Sequence, residues 1–253
     1  MASHTAYIIC GTPRSGSTLL CEMLWASRVA GRPNSYFRKQ DVAQWADTWG
    51  VPRPHGVDNA EFDRAYLAAM IRHGTAETRI FGLRIMWASM GDAAERLARA
   101  SGPHLDMGQQ FALAFGQPLY VHVTRRDKVA QAISRLRAEQ SGVWHLLADG
   151  NILEGTQQPQ AVAYDRDRIA GFVAELMEHD AAWEKFFAAR QIEPLCLEYE
   201  ATAADPQAAL RTILKRLGHG AEIADIVSVP TAKMSDDTSA EWARRFCLET
   251  GGQ

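Results

Sequence analysis

The 253-residue sequence has only four cysteines, Cys10, Cys21, Cys196 and Cys247. None stands in a C-x-x-C or zinc-type spacing, so the sequence signatures of a zinc ribbon or a dithiol redox centre are missing. Reduced, buried thiols in a cytoplasmic protein are the expectation. No apolar run approaches the roughly 20 residues of a membrane span. The opening MASHTAY carries neither the basic nor the apolar stretch of a secretion signal. A basic excess is also lacking: 27 Lys and Arg face 30 Asp and Glu, a formal net charge of -3. That argues against a nucleic-acid binder. Internal repeats and low-complexity segments are missing too. What remains is an ordinary globular composition, 47% hydrophobic and 23% charged, with enough chain to bury a large core unaided by disulfides or metals.

Four short segments read as strands: AYIIC (6–10), RIFGLRIM (79–86), PLYVHVT (118–124) and EPLCLEY (193–199). Their apolarity is continuous rather than alternating, as in parallel strands covered on both faces. Helical patterns separate them. The longest, 165–191, sets Ile169, Phe172, Val173, Leu176 and Met177 at i, i+3, i+4, i+7, i+8, which predicts a core-facing stripe. Pro206 near the start and Gly218 at the end delimit a helix after the fourth strand. Alternating strands and helices predict an α/β fold: a central parallel sheet of about four to five strands flanked by helices. Residues 1–253 are expected to form a single domain, with an irregular loop at 30–58 and a lid-like or hairpin segment at 141–160.

The strand 6–10 runs into GTPRSGST, Gly11 to Thr18. This nearly fits the phosphate loop G-x-x-x-x-G-K-[ST], but Ser17 stands where the lysine belongs. A strand, a glycine turn and a helix N-terminus still make an anion cradle of backbone N–H groups. Here the positive charge sits three positions earlier, at Arg14, with the hydroxyls of Ser15, Ser17 and Thr18 around Gly16. A group with fewer phosphates than ATP, and no metal, suits this loop better. A second cluster, TRRDKVAQAIS, places Arg125 and Arg126 where the third strand ends and Ser134 on the next helix. Two anion sites on adjacent strand-helix units suggest a nucleotide phosphorylated at both ends, such as a 3',5'-bisphosphate.

PRSGSTLL resembles the 5'-phosphosulfate loop of the sulfotransferases that use 3'-phosphoadenosine 5'-phosphosulfate (PAPS). RRDKVAQAIS resembles their 3'-phosphate motif, an Arg followed eight residues on by a Ser, which Arg126 and Ser134 match, with Arg125 a second candidate for the arginine. RSGSTLL, VAGRP...YF, GLRIMW, QAIS, VWH and SAEWARRF run in order from Arg14 to Phe246. Together they resemble the bacterial family typified by the mycobacterial trehalose 2-sulfotransferase. The resemblance implies a P-loop-like sulfotransferase fold, PAPS as donor, no catalytic metal, a sugar or glycolipid hydroxyl as acceptor, and a homodimer. It assigns Arg14, Ser15, Gly16, Ser17 and Thr18 to the 5'-phosphosulfate and Arg126 and Ser134 to the 3'-phosphate. AKMSDDTSAEWARRF resembles a family segment that closes over the donor, and Lys233 falls where that segment carries a basic residue.

The sequence departs from that family at one position. The family's general base is a glutamate two residues after the G-x-P proline, and here that position is Ser35, whose hydroxyl is too weakly basic for the task. Asp41, His55 and Asp58 in the same irregular region, and Glu22 on the first helix, are the replacement candidates. Tyr36, Phe37, Trp45, Trp49 and Trp87 are candidates to stack on sugar rings, and Trp87 and Trp144 to contact adenine. His122, in mid-strand, reads as a core histidine. Two other readings stay open. One is a P-loop small-molecule kinase, against which Ser17 and the second anion site argue. The other is a non-catalytic nucleotide- or glycan-binding homologue, which Ser35 keeps in play.

Overall fold

In the computed structural model, which describes residues 5–102, 105–147, 149–229 and 236–251, the four expected strands pair in parallel. β1 (Ala6–Gly11), β2 (Phe81–Met86) and β3 (Leu119–Thr124) are followed by a separate antiparallel hairpin of β4 (Val143–Leu146) and β5 (Ile152–Gly155), then by β6 (Leu195–Glu198). The main sheet has the order β2-β1-β3-β6. β1 has a neighbour on each side, with Cys10 opposite both Ile85 and His122. All six of its residues are buried, which explains an apolar run without alternation.

From β1 the chain moves to β2 on one side, then crosses back to β3 on the other. The winding reverses between β1 and β3, so the loops leaving their carboxyl ends part and open a crevice. The connecting helices are α1 (Ser17–Ala26), α2 (Val42–Trp49), α3 (Ala60–Thr75), α4 (Met90–Ser101), α5 (Met107–Phe115), α6 (Lys128–Ser141), α7 (Arg166–Ala189), α8 (Tyr199–Ala204), α9 (Pro206–Arg216) and α10 (Asp237–Thr250). Alternate residues of β1 serve opposite faces of the sheet. Ile8 and Cys10 pack with Tyr36, Tyr66, Phe111 and Trp183. Tyr7 and Ile9 pack with Leu20, Leu24, Leu210 and Ile213. A smaller cluster joins α6, α7 and α10 through Ile133, Leu136, Ile169, Leu176, Trp242 and Phe246.

Several expectations need correction. Met177 falls off the stripe on α7, being 57% exposed, while the buried face continues from Leu176 to Trp183, Phe186 and Phe187. Only Cys10 and Cys21 are buried; Cys196, on the edge strand β6, and Cys247, on α10, are exposed. The loop 30–58 contains α2, whose Val42, Ala46 and Trp49 point into the core. Tyr36, Phe37 and Trp49 are core residues, and the half-buried Trp87 packs edge-on against Trp183 at 5.1 Å. His122 does lie in the core, against Phe187, but its Nε2 has no hydrogen-bond partner among the described residues. Burial holds its pKa below the ordinary range. Among the described residues, no helix is long and apolar enough to cross a membrane.

Candidate active site

Between β1 and α1 the chain turns through Arg14 at φ 64 and Gly16 at φ 86. A non-glycine residue in the left-handed region costs about 1–2 kcal/mol, so its surroundings must hold it there. Gln131 of α6 does so: its Nε2 donates to Thr12 Oγ1 at 3.0 Å and to the Pro13 carbonyl at 2.7 Å. Trp183 of α7 donates to the Gly11 carbonyl at 3.0 Å. A Cβ on Gly16 would meet Tyr199 Cδ2 at 2.7 Å, so packing as well as φ demands glycine. Gly16 caps α1 without a side-chain acceptor. The first amides of the helix are thus left for an anion.

Three cavities adjoin this loop and share walls. The first, of about 310 Å³, is lined by Arg14, Gly16, Arg125, Ser134, Arg137 and Tyr199, among others. Arg14 Nε donates to Ser134 Oγ at 3.0 Å, so the two sequence clusters meet. Arg125 lies 4.4 Å from the Tyr199 ring centroid and donates to the Arg14 carbonyl at 3.3 Å. Its buried Nε has no partner among the described residues. Burial lowers its pKa, and burial together with the Arg125 charge lowers that of Arg14 to about 10. A buried guanidinium that is also pressed by a second cation is poised for an anion. Arg126, by contrast, is exposed; its Nε lies 3.2 Å from Glu198, and it does not line the cavity. Ser15 is fully buried, its hydroxyl has no partner among the described residues, and it lines none of the three cavities. Lys233 lies outside the described residues.

The second cavity, of about 140 Å³, is bounded by Arg14, Gly16, Ser17 and Thr18 on one side and by Ser35, Arg38, Arg84, Trp144, His145 and Glu154 on the other. Ser35 arrives here because its segment runs along β2, with Arg84 N donating to the Asn34 carbonyl at 3.0 Å. Arg84 donates from Nε to Ser35 Oγ at 2.8 Å and from Nη1 to Thr18 Oγ1. Thr18 then lies 2.9 Å from His145 Nε2. The β4–β5 hairpin reaches over the loop: Arg14 Nη1 donates to the Trp144 carbonyl and touches the His145 ring. Burial, aided by Arg14 and Arg84, lowers the His145 pKa from 6.5 to about 2. His145 is therefore neutral, with its Nε2 and the Thr18 hydroxyl sharing one hydrogen bond.

This gives a pH prediction. The unfolded chain takes up a proton at His145 below about pH 6.5 and the folded chain only near 2, so this residue makes the fold lose stability as pH falls through that window. His145→Gln is expected to lose less stability than wild type between about pH 7.5 and pH 5, measured as the change in urea midpoint. An equal loss in both proteins would refute it.

The third cavity, of about 500 Å³, opens on the far side of Thr18 and Ser35 and includes Glu22, Arg38, Asp41, Gln44, Trp45, Arg84 and Glu154. Burial raises the pKa of both Glu22 and Asp41, against the opposing pull of nearby arginines. His55 and Asp58 do not reach any of the cavities; His55 is exposed, and Asp58 pairs with Arg96 at 3.2 Å. Of the proposed sugar-stacking aromatics only Trp45 lines a cavity. Arg84, His145 and Glu154 had no role assigned from sequence, although GLRIMW and VWH contain the first two.

The chain matches the family model described as Stf0 sulphotransferase over residues 6–249. It is 28% identical to a trehalose 2-sulfotransferase of Mycobacterium tuberculosis (strain ATCC 35801 / TMC 107 / Erdman), covering 96% of this chain and 94% of the relative. It is 25% identical to a trehalose 2-sulfotransferase of Mycolicibacterium smegmatis (strain ATCC 700084 / mc(2)155), covering 97% and 96%. With a parallel sheet, a lysine-free phosphate loop and a match across nearly its whole length, the chain belongs to the Stf0 sulphotransferase family.

Proposed function

We propose that the protein moves a sulfuryl group from PAPS to a hydroxyl of a carbohydrate or glycolipid acceptor. The observation that carries this reading is the junction at Arg14. One guanidinium lines both the Arg125–Ser134 cavity and the small chamber at Thr18, and that chamber shares its wall with a larger polar cavity bearing Trp45. The first cavity suits the bisphosphate nucleotide, with Arg125 and Ser134 at the 3'-phosphate. The third suits a sugar, in keeping with the names of the two mycobacterial relatives. Arg126 is the spacing match to the family motif, and to take the 3'-phosphate it would have to leave Glu198.

In this reading the moving SO₃ group spreads charge over its oxygens, so positioning and electrostatic stabilisation supply most of the rate. Arg14, the first amides of α1 and the Ser17 and Thr18 hydroxyls face that charge. Arg84 ties Thr18 to Ser35 and so fixes the chamber wall.

A thermal-shift titration tests the donor assignment. Adenosine 3',5'-bisphosphate at a hundredfold excess over Kd is expected to stabilise the fold by about 2.7 kcal/mol, on the order of 5–10 °C in Tm for a chain of this size. Arg125→Ala should lose more of that shift than Arg126→Ala. Stabilisation by MgATP and not by the bisphosphate would reverse the reading in favour of a kinase.

A further inference from the structure

The proposed transfer needs a group to take the acceptor's proton, and the hydroxyl at Ser35 is already bound by Arg84 Nε at 2.8 Å. We infer that Glu154, on β5 of the hairpin, is the general base; the assignment rests on the sulfuryl-transfer reading above.

Glu154 is the one carboxylate lining the small chamber beside Arg14, Ser17 and Thr18. It also lines the larger cavity beyond, so it stands where the two meet. Glu22 and Asp41 line only the larger cavity. The chamber's imidazole, His145, is a poor base, because its Nε2 is engaged with Thr18 Oγ1 at 2.9 Å and burial strips its basicity.

The hairpin explains the placement. His145 and Glu154 are cross-strand partners, so their side chains share a face. The same turn of chain that sets Trp144 and His145 on the phosphate loop thereby delivers Glu154 to the acceptor side. Arg38 Nη1 holds Glu154 Oε1 at 3.1 Å, and Oε2 lies 3.8 Å from His145 Nε2. Arg38 also reaches Asp41 at 3.4 Å. Here the carboxylate comes from residue 154 and is anchored to the 30s segment through Arg38.

The step balances as follows. The acceptor hydroxyl oxygen bonds to sulfur while its proton passes to a Glu154 carboxylate oxygen. The bond from sulfur to the 5'-phosphate oxygen breaks, and its electron pair stays on that oxygen, which Arg14 faces. The products are a sulfate ester and adenosine 3',5'-bisphosphate, and Glu154 later gives its proton to water.

Glu154→Gln keeps the shape and the Arg38 contact and removes the basicity. Transfer from PAPS is measured against trehalose and a panel of other mono- and disaccharides, in parallel with the bisphosphate thermal shift. Glu154→Gln is expected to lose about 10²-fold or more in kcat, with KM and the bisphosphate shift close to wild type. Adding Ser35→Glu to that variant returns a carboxylate to the lining of the same chamber, beside Arg84, and is expected to restore at least tenfold of the lost rate. Near-wild-type kcat in Glu154→Gln overturns the assignment. So does loss of the bisphosphate shift together with activity, which would make Glu154 a structural residue. Failure of the wild-type protein to sulfate any sugar would instead overturn the functional reading on which the assignment rests.

Discussion

Arg14→Ala is expected to lower kcat by about 10²–10³-fold, the scale of losing one preorganised donor at a developing charge. No other arginine lines both the nucleotide-sized cavity and the chamber where transfer would occur. Its guanidinium is fixed on three sides by Ser134 Oγ, the Trp144 carbonyl and the His145 ring, so it needs little reorganisation when charge develops. Arg14→Lys should recover only part of the rate, since an ammonium lacks the planar fork that meets Ser134 and Trp144 together. Stability separates lost chemistry from lost fold. The folded state resists the Arg14 charge, through burial and through Arg125, and it holds residue 14 at φ 64. Arg14→Ala should therefore melt near the wild-type temperature while its turnover collapses. Steady-state kinetics and a thermal melt on one preparation check this. A near-wild-type rate, or a fall in Tm that tracks the fall in rate, would sink the assignment.

The parts of this structure legible in the sequence are those with a local cause. Strands covered on both faces must be apolar throughout, so β1 to β3 stand out as short apolar runs, whereas the edge strand β6 alternates half-buried and exposed residues. The phosphate loop is legible because glycine and arginine act within eight residues. Helix α4 was missed for a physical reason: its buried face is Met90, Ala93, Arg96 and Leu97, and an alanine and an arginine weaken any apolar stripe. Helix α2 hides in a stretch rich in Pro, Gly and Arg. The transfer chamber was only half legible. Arg84 comes from mid-strand β2, and His145 and Glu154 from a hairpin of two four-residue strands, too short to show a period. The carboxylates and imidazole that the sequence offers as replacements, Glu22, Asp41, His55 and Asp58, all lie near Ser35 in the chain. The register of β4 and β5 offers a carboxylate from a distant segment instead. Arg126 fits the motif by spacing, but its pairing with Glu198 and Glu200 turns it outward while Arg125 takes the cavity wall.

Asp63→Ala is expected to destabilise the fold by about 3–5 kcal/mol, the range for a buried ion pair broken from one side. Asp63 on α3 is 2% exposed, and its two oxygens take Arg96 at 2.6 Å and Arg99 at 2.5 Å, both from α4. Arg96, 5% exposed, also donates to the Val57 carbonyl at 2.7 Å and to Asp58 at 3.2 Å, so the cluster pins the segment before α3 as well. Removing the carboxylate strands a guanidinium that cannot shed its charge, with only the more exposed Asp58 left to answer it. At about 2–4 °C per kcal/mol for a chain of this size, Tm should fall by on the order of 10 °C. The double variant Asp63→Leu/Arg96→Met separates stranded charge from lost packing. With both charges gone no fully buried ion is left, and the half-buried Arg99 keeps Asp58 at 3.5 Å and Glu95 at 3.9 Å, so much of the loss should return. If the double variant loses as much as the two single ones added together, the pair is not coupled and the argument fails. None of these residues lines the three cavities, so the bisphosphate shift measured from each variant's own Tm should match wild type. The stability of the α3–α4 layer and the chemistry at Arg14 are then separable by mutation, which lets a loss of rate at Arg14 or Glu154 be read as chemistry.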